Sequence, residues 1–389
     1  MNSLLKKVKE SILDRKKKFL YRKKKIINHG NKKWIFYKNK KYLNFSNNNY
    51  LGLARNFRVI SAYKKAIEKF GIGSTSSSHI VGYSSLQKEL EEKISKWMKY
   101  SCGLIFNSGF CANQSIIKVL IEKKDFIIVD RFMHASIMEE IIRSSLKFSR
   151  FLHNDFRSLE KILRKNYSEN KFIFTEGIFS MDGDVSPLKE IYLLKKKYNS
   201  FLIVDDAHAF GILGENGRGS TWKICKPDFL VFTFSKALGI QGAIVLFKEK
   251  EFLDYFWQFC KNLIYSTSMP PAQIVAIKIA FSEMRKKGML LRKKLLKNIK
   301  RFRKGIKSLN FLTTKSSSPI QTIIIGNNEK TIKAEKFLRF LGFWVTAILP
   351  PTVPPKTSRL RIIITSEHSD NDIDSLLFSL KVLKKKYVQ

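Results

Sequence analysis

The middle of the chain alternates short, continuously apolar runs with segments of helical periodicity. Residues 84–98 and 187–198 repeat apolar positions every three or four residues, which is typical of amphipathic helices. Continuous rather than alternating apolar strands, separated by helices, predict a mostly parallel sheet covered on both faces. The runs that we interpret as buried strands are FIIVDR (126–131), FIFTEGIF (172–179), FLIVDD (201–206), FLVFTF (229–234) and AIVLF (243–247).

The pattern changes near residue 275. A long basic helix is predicted over residues 277–309, followed by a strand at 321–326, a helix near 329–341 and a strand at 359–365. This order of elements predicts a smaller α+β domain. The parts that we expect are an N-terminal helical and extended segment (1–45), a large α/β domain (46–275) and a small C-terminal α+β domain (276–389).

Polar side chains follow four of the predicted strands. Because the carboxyl ends of parallel strands meet at one edge of a sheet, we expect these side chains to converge there. A buried strand that ends in ionisable groups carries a desolvation cost, so some partner at that edge should compensate for it. The groups are Asp130 and Arg131 with His134 close behind, Glu176 to Asp182, Asp205 to His208, and Ser235 with Lys236.

Lys236 and Asp205 suggest what that edge binds. Taken alone, a lysine after a strand is more often a surface residue, but a desolvated lysine is a nucleophile towards an aldehyde. Pyridoxal 5'-phosphate needs such a lysine and an anionic partner for its ring nitrogen, which Asp205 can supply. A buried pyridinium would in turn compensate for the burial of Asp205. Asp206 is better explained as a cap of the following helix. His208 could donate to the phenolic oxygen of the cofactor, although alone it would be interpreted as a core histidine.

The stretch FNSGFCANQ (106–114) is a candidate phosphate cradle. A turn with glycine opens a predicted helix there, so the backbone amides of Gly109 and Phe110 would face an anion. No Walker loop and no GxGxxG after a strand occur, which makes a nucleotide phosphate the weaker interpretation. His134 could lie flat over an aromatic ring, although alone it would be an ordinary loop histidine. We therefore predict a pyridoxal-phosphate site with Lys236, Asp205 and His134 as catalytic residues.

Charge and cysteine content change this interpretation little. The chain has 73 Lys and Arg against 32 Asp and Glu, a formal net charge of +41, which would attract polyanions. Outside the dense run 15–25 the lysines are scattered, which favours solvated helix faces over nucleic-acid binding. The four cysteines form no CxxC pair, so we expect neither a disulfide framework nor a metal site. We find no apolar stretch near 20 residues and no secretory signal, and we expect a cytoplasmic protein with no membrane partner.

With these residues assembled, the sequence resembles the α-oxoamine synthases, which condense an amino acid with an acyl thioester. The resemblance implies a fold-type-I pyridoxal-phosphate transferase, with a mostly parallel seven-stranded sheet in the large domain, a smaller α+β domain and a homodimer. It runs from about residue 15 to 380, in blocks that keep the family's order. These blocks include NFSNNNYLGLA (44–54), HIVGYSSLQKELEEKISKWM (79–98), DRFMHASI (130–137), HNDFRSLEKIL (153–163), TEGIFSMDGDVSPL (175–188), VDDAHAFGILGENGRG (204–219), TFSKALG (233–239), YSTSMPPA (265–272) and PPTVPPKTSRLRI (350–362).

The resemblance also implies roles for individual residues. Lys236 would hold the cofactor, and Asp205 and His208 would bond its ring nitrogen and phenolic oxygen. The other implied cofactor contacts are the phosphate-side turn at Gly109 and Phe110, the stacking residue His134, and Ser180 and Thr233. The implied substrate-binding residues are Arg22, His134, Thr352 and Arg361.

Three stretches indicate the substrates. TEGIFSMDGD, YSTSMPPA and PPTVP have the form typical of members that join L-alanine to a pimeloyl thioester, carried on coenzyme A or on an acyl carrier protein. Glycine-using members, such as 5-aminolevulinate synthase and 2-amino-3-ketobutyrate ligase, usually differ there. The chain departs from the family at Ala209, Phe210 and GSTSSS (73–78), all predicted to lie beside the site. The alternatives are a member that uses glycine or a shorter acyl group, and a basic nucleic-acid-binding protein on the same fold.

Overall fold

The computed structural model describes residues 2–28 and 30–387. Its helices are α1 (Ser3–Lys17), α2 (Phe57–Phe70), α3 (Ser85–Met98), α4 (Gly109–Leu120), α5 (Ala135–Arg143), α6 (Phe156–Arg164), α7 (Leu188–Lys197), α8 (Lys250–Phe259), α9 (Lys261–Ile264), α10 (Pro271–Ser308), α11 (Asn328–Phe340) and α12 (Asp370–Tyr387). Its strands are β1 (Trp34–Tyr37), β2 (Lys40–Asn44), β3 (Cys102–Phe106), β4 (Phe126–Asp130), β5 (Phe148–Phe151), β6 (Lys171–Glu176), β7 (Phe201–Asp205), β8 (Phe229–Thr233), β9 (Ala243–Phe247), β10 (Ile320–Gly326), β11 (Phe343–Trp344), β12 (Thr346–Ile348) and β13 (Ser358–Ile363).

Contacts divide the chain into two compact units. The larger unit comprises Leu51–Ser180 and Val185–Arg292, and the smaller one takes the described residues within Met1–Tyr50, Met181–Asp184 and Lys293–Gln389. The N-terminal segment therefore shares a unit with the C-terminal part of the chain. The division on the C-terminal side falls inside α10, whereas the sequence places a change of pattern near residue 275.

The larger unit contains a seven-stranded sheet with the order β3-β9-β8-β7-β6-β4-β5. The pairs β4–β5, β4–β6, β6–β7 and β7–β8 are parallel, and β9 is antiparallel to both β3 and β8. This confirms the mostly parallel sheet that the sequence predicted. All five predicted runs are strands of this sheet, namely β4, β6, β7, β8 and β9. The sequence did not single out β3 and β5, which form the two edges.

The register of the sheet brings the predicted polar groups to one edge. β4 ends at Asp130, β6 at Glu176 and β7 at Asp205, and Glu176 is the direct partner of Asp205 across the parallel pair. β8 ends at Thr233, three positions before Lys236. The predicted convergence of strand ends is therefore confirmed for the segments that leave β4, β6, β7 and β8.

The smaller unit contains two three-stranded sheets. One has the order β1-β2-β11, and the other, β10-β13-β12, is antiparallel. Every residue of β13 is buried, including its two arginines, Arg359 and Arg361. Among residues 2–28 and 30–387, each helix is too short or too polar to cross a lipid bilayer.

Candidate active site

Asp205 is held by two hydrogen-bond donors at the end of β7. Its Oδ2 accepts from Nδ2 of Asn113 at 2.8 Å, and its Oδ1 accepts from the backbone N–H of Ala207 at 3.0 Å. The residue is only 7% exposed, so these bonds replace part of its lost hydration. The sequence did not identify Asn113, although it lies in the FNSGFCANQ stretch, one helical turn after Gly109.

Asn113 also connects Asp205 to His134 through Ser136. Its Nδ2 also donates to Oγ of Ser136 at 3.0 Å, and that Oγ lies 2.8 Å from Nδ1 of His134. The backbone N–H of Ser136 donates to the same Nδ1 at 3.2 Å, so His134 forms the N-cap of α5. Because Nδ1 is an acceptor, the proton of a neutral imidazole lies on Nε2. The chain of contacts Asp205–Asn113–Ser136–His134 thus joins β7, α4 and the start of α5.

His134 is neutral in this environment. Loss of hydration lowers the pKa of its imidazole below the usual 6.5, and the positive charge of Lys236 acts in the same direction. The negative charge of Asp205 opposes both effects. His134 therefore experiences the charges of Lys236 and Asp205 together, which places the three predicted catalytic residues in one electrostatic environment. That His134 stacks on a cofactor ring stays a prediction.

Lys236 lies in a closed turn after β8. The hydroxyl of Thr233 donates to the carbonyl of Gly242 at 2.8 Å and accepts from the N–H of Ser235 at 3.2 Å. Gly239 has a φ of +72°, and a Cβ there would lie 2.6 Å from the backbone nitrogen of Ala54. Only glycine fits this position without strain. The turn therefore fixes the backbone that carries Lys236, whose own side chain is half-buried.

The start of α4 lies beside this turn. Gly109 and Phe110 are its first two residues, and Oγ of Ser108 accepts from the N–H of Cys111 at 3.1 Å. The first amides of a helix have no partner inside it and attract anions. A Cβ on Gly109 would lie 3.7 Å from Cβ of Thr233, so the helix start and the predicted cofactor contact Thr233 are neighbours.

Ser180 and His208 lie in the segments that leave β6 and β7. Both are buried, at 9% and 6% exposed. The backbone N–H of Ser180 donates to Oε2 of Glu176 at 3.3 Å, which ties the segment after β6 to the end of that strand. The cofactor contacts of Ser180 and His208 stay predictions.

Three of the four predicted substrate-binding residues, Arg22, Thr352 and Arg361, lie in the smaller unit, whereas His134 lies in the larger one. Nη2 of Arg22 donates to Oγ1 of Thr352 at 3.2 Å, although the two residues are 330 positions apart. Arg361, in β13, is 9% exposed and donates to Oδ1 of Asn48 at 3.4 Å. It also hydrogen-bonds Tyr50, whose pKa is raised mainly by burial, whereas burial lowers the pKa of Arg361. The structure thus brings Arg22 to Thr352, and Arg361 to two residues of the NFSNNNYLGLA block.

Asp206 does not cap a helix, so that prediction is wrong. Turns rather than a helix follow β7, and the fully buried carboxylate accepts from the N–H of Ser220 at 2.9 Å and from its hydroxyl. Burial raises the pKa of Asp206 to about 7, against the effect of these hydrogen bonds. A Cβ on Gly177 or Gly219 would lie 1.9 Å from a carboxylate oxygen of Asp206, so neither position has room for a side chain. Asp206 closes the loop 206–220.

Phe210, one of the departures from the family, packs into the core. Its ring lies parallel to that of Phe232, 3.8 Å between centroids, and edge-on to Trp97. Successive residues of a strand face opposite sides, so Phe232 and the site residue Thr233 lie on opposite faces of β8. The larger side chain is therefore accommodated on the face away from Thr233.

The serine-rich stretch 73–78, the other departure, has a structural role. Oγ of Ser74 donates to the carbonyl of Ser268 at 2.6 Å, and the hydroxyls of Ser78 and Ser268 lie 2.7 Å apart. These bonds join the stretch to the YSTSMPPA segment.

Replacing Asn113 by alanine should weaken the site without removing any predicted catalytic residue. Asp205 and Ser136 would lose a donor, and leaving a buried group unsatisfied costs about 1–3 kcal/mol. We expect the free energy of unfolding to fall by that amount and the affinity for pyridoxal phosphate to fall about 10-fold. Denaturant unfolding and titration of the cofactor-free protein measure the two effects. Asn113→Asp should be more harmful, because it adds a like charge. Wild-type affinity in both variants would contradict this role.

A comparison with known families identifies the broad family of the chain. The sequence pattern described as aminotransferase class I and II matches residues 40–380. The chain belongs to this family. Members of the aminotransferase class I and II family share the α/β architecture described above, so the match agrees with the sheet and with the predicted fold class.

Solved structures include two kinds of similar enzyme. A variant of serine palmitoyltransferase from S. paucimobilis with bound PLP and myriocin is 27% identical, with a TM-score of 0.90 and 99% of each chain covered. Serine palmitoyltransferase from Sphingomonas wittichii is 27% identical, with a TM-score of 0.89 and 98% of this chain and 97% of that chain covered. 8-Amino-7-oxononanoate synthase from Francisella tularensis is 29% identical, with a TM-score of 0.78 and 89% of this chain and 99% of that chain covered. These similarities confirm the predicted fold-type-I architecture.

Proposed function

We propose that the protein is an α-oxoamine synthase, an acyltransferase that uses pyridoxal 5'-phosphate to condense an amino acid with an acyl thioester. The observation that carries this proposal is the buried carboxylate of Asp205, which Asn113 and Ala207 orient in the same electrostatic environment as Lys236 and the neutral imidazole of His134. Two kinds of α-oxoamine synthase among the similar structures support the same class of reaction.

The residues present fit the cofactor at both of its ends. Asp205 is a buried carboxylate at the end of β7, and such a group favours a cationic partner such as a protonated ring nitrogen. Oε1 of Glu176 is buried without a hydrogen-bond partner among the described residues, which indicates that the site is completed by a ligand. At the other end, the first amides of α4, which begins beside Thr233, suit a phosphate.

When bound, the cofactor supplies an electron-withdrawing ring that stabilises negative charge on the substrate α-carbon. Asp205, which Asn113 and Ala207 orient, would hold the proton of the ring nitrogen. Nζ of Lys236 would hold the cofactor covalently, and as a neutral amine it would take the α-proton of the substrate. Neutral His134 presents Nε2–H to its surroundings, because Nδ1 is occupied by Ser136.

We further propose that the substrates are L-alanine and a pimeloyl thioester, which give 8-amino-7-oxononanoate, carbon dioxide and the free thiol in biotin biosynthesis. The stretches at 175–184, 265–272 and 350–354 support this choice, as does the 29% identity to the Francisella tularensis enzyme. Arg22, Thr352 and Arg361 are the proposed substrate-binding residues, of which the buried guanidinium of Arg361 suits a carboxylate.

A second candidate pair is L-serine and a long-chain acyl thioester. The similarity to serine palmitoyltransferases favours it, because it covers 99% of this chain with a TM-score of 0.90. The corresponding similarity to the 8-amino-7-oxononanoate synthase covers 89% with a TM-score of 0.78. Glycine-using relatives remain a third alternative on the basis of the sequence.

We also propose a cytoplasmic homodimer that binds no nucleic acid. The larger unit exposes four large apolar side chains on two segments that the bridge between residues 77 and 267 brings together. Such a patch is typical of a surface covered by another protein chain. The side chains are Ile72 (84% exposed), Ile80 (75%), Val81 (80%) and Tyr265 (79%).

Assays with matched substrates distinguish these candidates. Purified protein loaded with pyridoxal phosphate is incubated with alanine, serine or glycine and with pimeloyl, palmitoyl or acetyl thioesters of coenzyme A and of carrier protein. We expect the highest kcat/KM with alanine and a pimeloyl thioester. The preference over serine or glycine should be about 10–100-fold, since an apolar pocket rejects an added hydroxyl or a missing methyl group by about that factor. A higher kcat/KM for serine with the palmitoyl thioester would transfer the assignment to the second candidate.

A further inference from the structure

Glu176 is a buried acid of the site to which neither the sequence nor the proposed mechanism gives a role. It ends β6 directly beside Asp205, its partner in the parallel register, and is 3% exposed. Residues paired in this way lie about 4.8 Å apart and point to the same side of the sheet. Oε2 accepts from the N–H of Ser180 at 3.3 Å, whereas Oε1 is buried with no partner within the described part of the chain.

The two neighbouring carboxylates, Asp205 and Asp130, accept more hydrogen bonds than Glu176 does. Asp205 accepts from Asn113 and Ala207. Asp130, at the end of β4, accepts at 2.8 Å from both the N–H of Phe132 and Nδ1 of His153, and from the N–H of Asn154 at 2.9 Å. When acids lie close together in a buried site, the proton is retained by the one whose charged form is least stabilised. Of these three acids, that is Glu176.

Burial and the charges on three neighbouring segments change the pKa of Glu176. Loss of hydration raises the pKa of Glu176 well above its usual range, and the negative charges of Asp205 on β7 and Asp130 on β4 raise it further. Lys236, after β8, and the N–H of Ser180 lower it. The two groups that favour ionisation therefore do not outweigh burial and the two acids.

We propose that Glu176 is a positioning residue that works as an uncharged carboxylic acid, with Oε2 holding the Ser180 segment and the proton on Oε1. Asp205 then remains the single anion that faces the cofactor ring. A charged Glu176 would instead stabilise Lys236 as an ammonium, which cannot accept a proton. This inference rests on the proposed function in its assignment of Lys236 and Asp205.

The decisive variant is Glu176→Gln, which has the same length and is permanently neutral. We expect it to bind pyridoxal phosphate within about 3-fold of the wild type, whereas Asp205→Asn should bind at least about 10-fold more weakly. The alkaline limb of the wild-type pH–rate profile should shift or disappear in Glu176→Gln, because the variant lacks the ionisation that holds Lys236 as an ammonium. If Glu176→Gln loses cofactor affinity as severely as Asp205→Asn, Glu176 acts as a carboxylate and the proposal is wrong.

Unfolding of the cofactor-free protein tests the protonation separately. Above the ordinary pKa of 4.5 the unfolded chain releases the Glu176 proton while the folded protein retains it, so this residue makes stability fall as the pH rises through that window. Gln has no such proton. The difference in unfolding free energy, wild type minus Glu176→Gln, should therefore decrease from pH 4.5 upwards. Asp206 and Glu91, whose pKa values are each about 7, are present in both proteins and cancel in the difference. An increase with pH would overturn the proposal.

These measurements separate a failure of the proposed function from a failure of the inference about Glu176. If the wild type binds no pyridoxal phosphate, the proposed function fails, yet the unfolding difference still reports whether Glu176 holds a proton. Should Glu176→Gln not fold, the infrared band of a protonated carboxyl group is followed in wild-type protein labelled with carbon-13 glutamate. Glu91, whose pKa is about 7, is ionised at higher pH, and we expect the band to persist there. Its absence there would refute the neutral acid.

Discussion

Replacing Lys236 by alanine is expected to abolish turnover and the visible absorbance of the cofactor-loaded protein. In the proposed mechanism Lys236 supplies both the covalent attachment and the amine that accepts the α-proton, and general base catalysis alone contributes about 10²–10⁴-fold. We therefore expect a loss of at least about 10³-fold in kcat. Absorption spectra with and without L-alanine, together with product formation, measure the two effects.

The matched control is Lys189→Ala on α7, an exposed lysine outside the site. It should keep both the spectrum and the activity of the wild type, because alanine is well tolerated at an exposed helix position. The turn that carries Lys236 is closed by Thr233, Gly239 and Gly242, so Lys236→Ala should fold. A Lys236→Ala protein that retained turnover and visible absorbance would disprove the central assignment.

Asp205→Asn should reduce kcat at least about 100-fold while the fold is retained. A preorganised charge at the point where charge develops typically contributes about 10²–10³-fold, and asparagine cannot hold the ring-nitrogen proton as an anion does. Asparagine keeps the size of the side chain and can still accept from Asn113 or Ala207, so the strand end should remain in place. Steady-state kinetics give the change in kcat, and near-ultraviolet circular dichroism gives the state of the fold.

Asp254→Asn, at an exposed position of α8, is the control for the loss of one negative charge. It should have wild-type kinetics, since an exposed charge outside the site is screened by solvent. Asp205→Asn with nearly normal kcat would mean that another group protonates the ring. Glu176 is then the first residue to examine, because it lies directly beside Asp205 in the sheet.

The sequence alone determined the type of fold and the cofactor, and it predicted which residues bind that cofactor. Five short, continuously apolar runs favoured buried strands, and the helical segments between them favoured a mostly parallel sheet. Polar residues directly after such strands then had to meet at one edge, which is why Lys236 and Asp205 could be assigned as a pair. These conclusions depend on local patterns and on the geometry common to all parallel sheets.

The tertiary structure decided which residues surround that pair. Asn113 reaches Asp205 from 92 positions away, and Ser136 links Asn113 to His134. Asp206, expected to cap a helix, binds Ser220 instead, because turns follow β7. Such contacts depend on register, helix docking and loop path, which leave no periodic signal in the sequence. For the same reason the pairing of Glu176 with Asp205, on which its proposed role depends, emerged only once β6 and β7 were aligned.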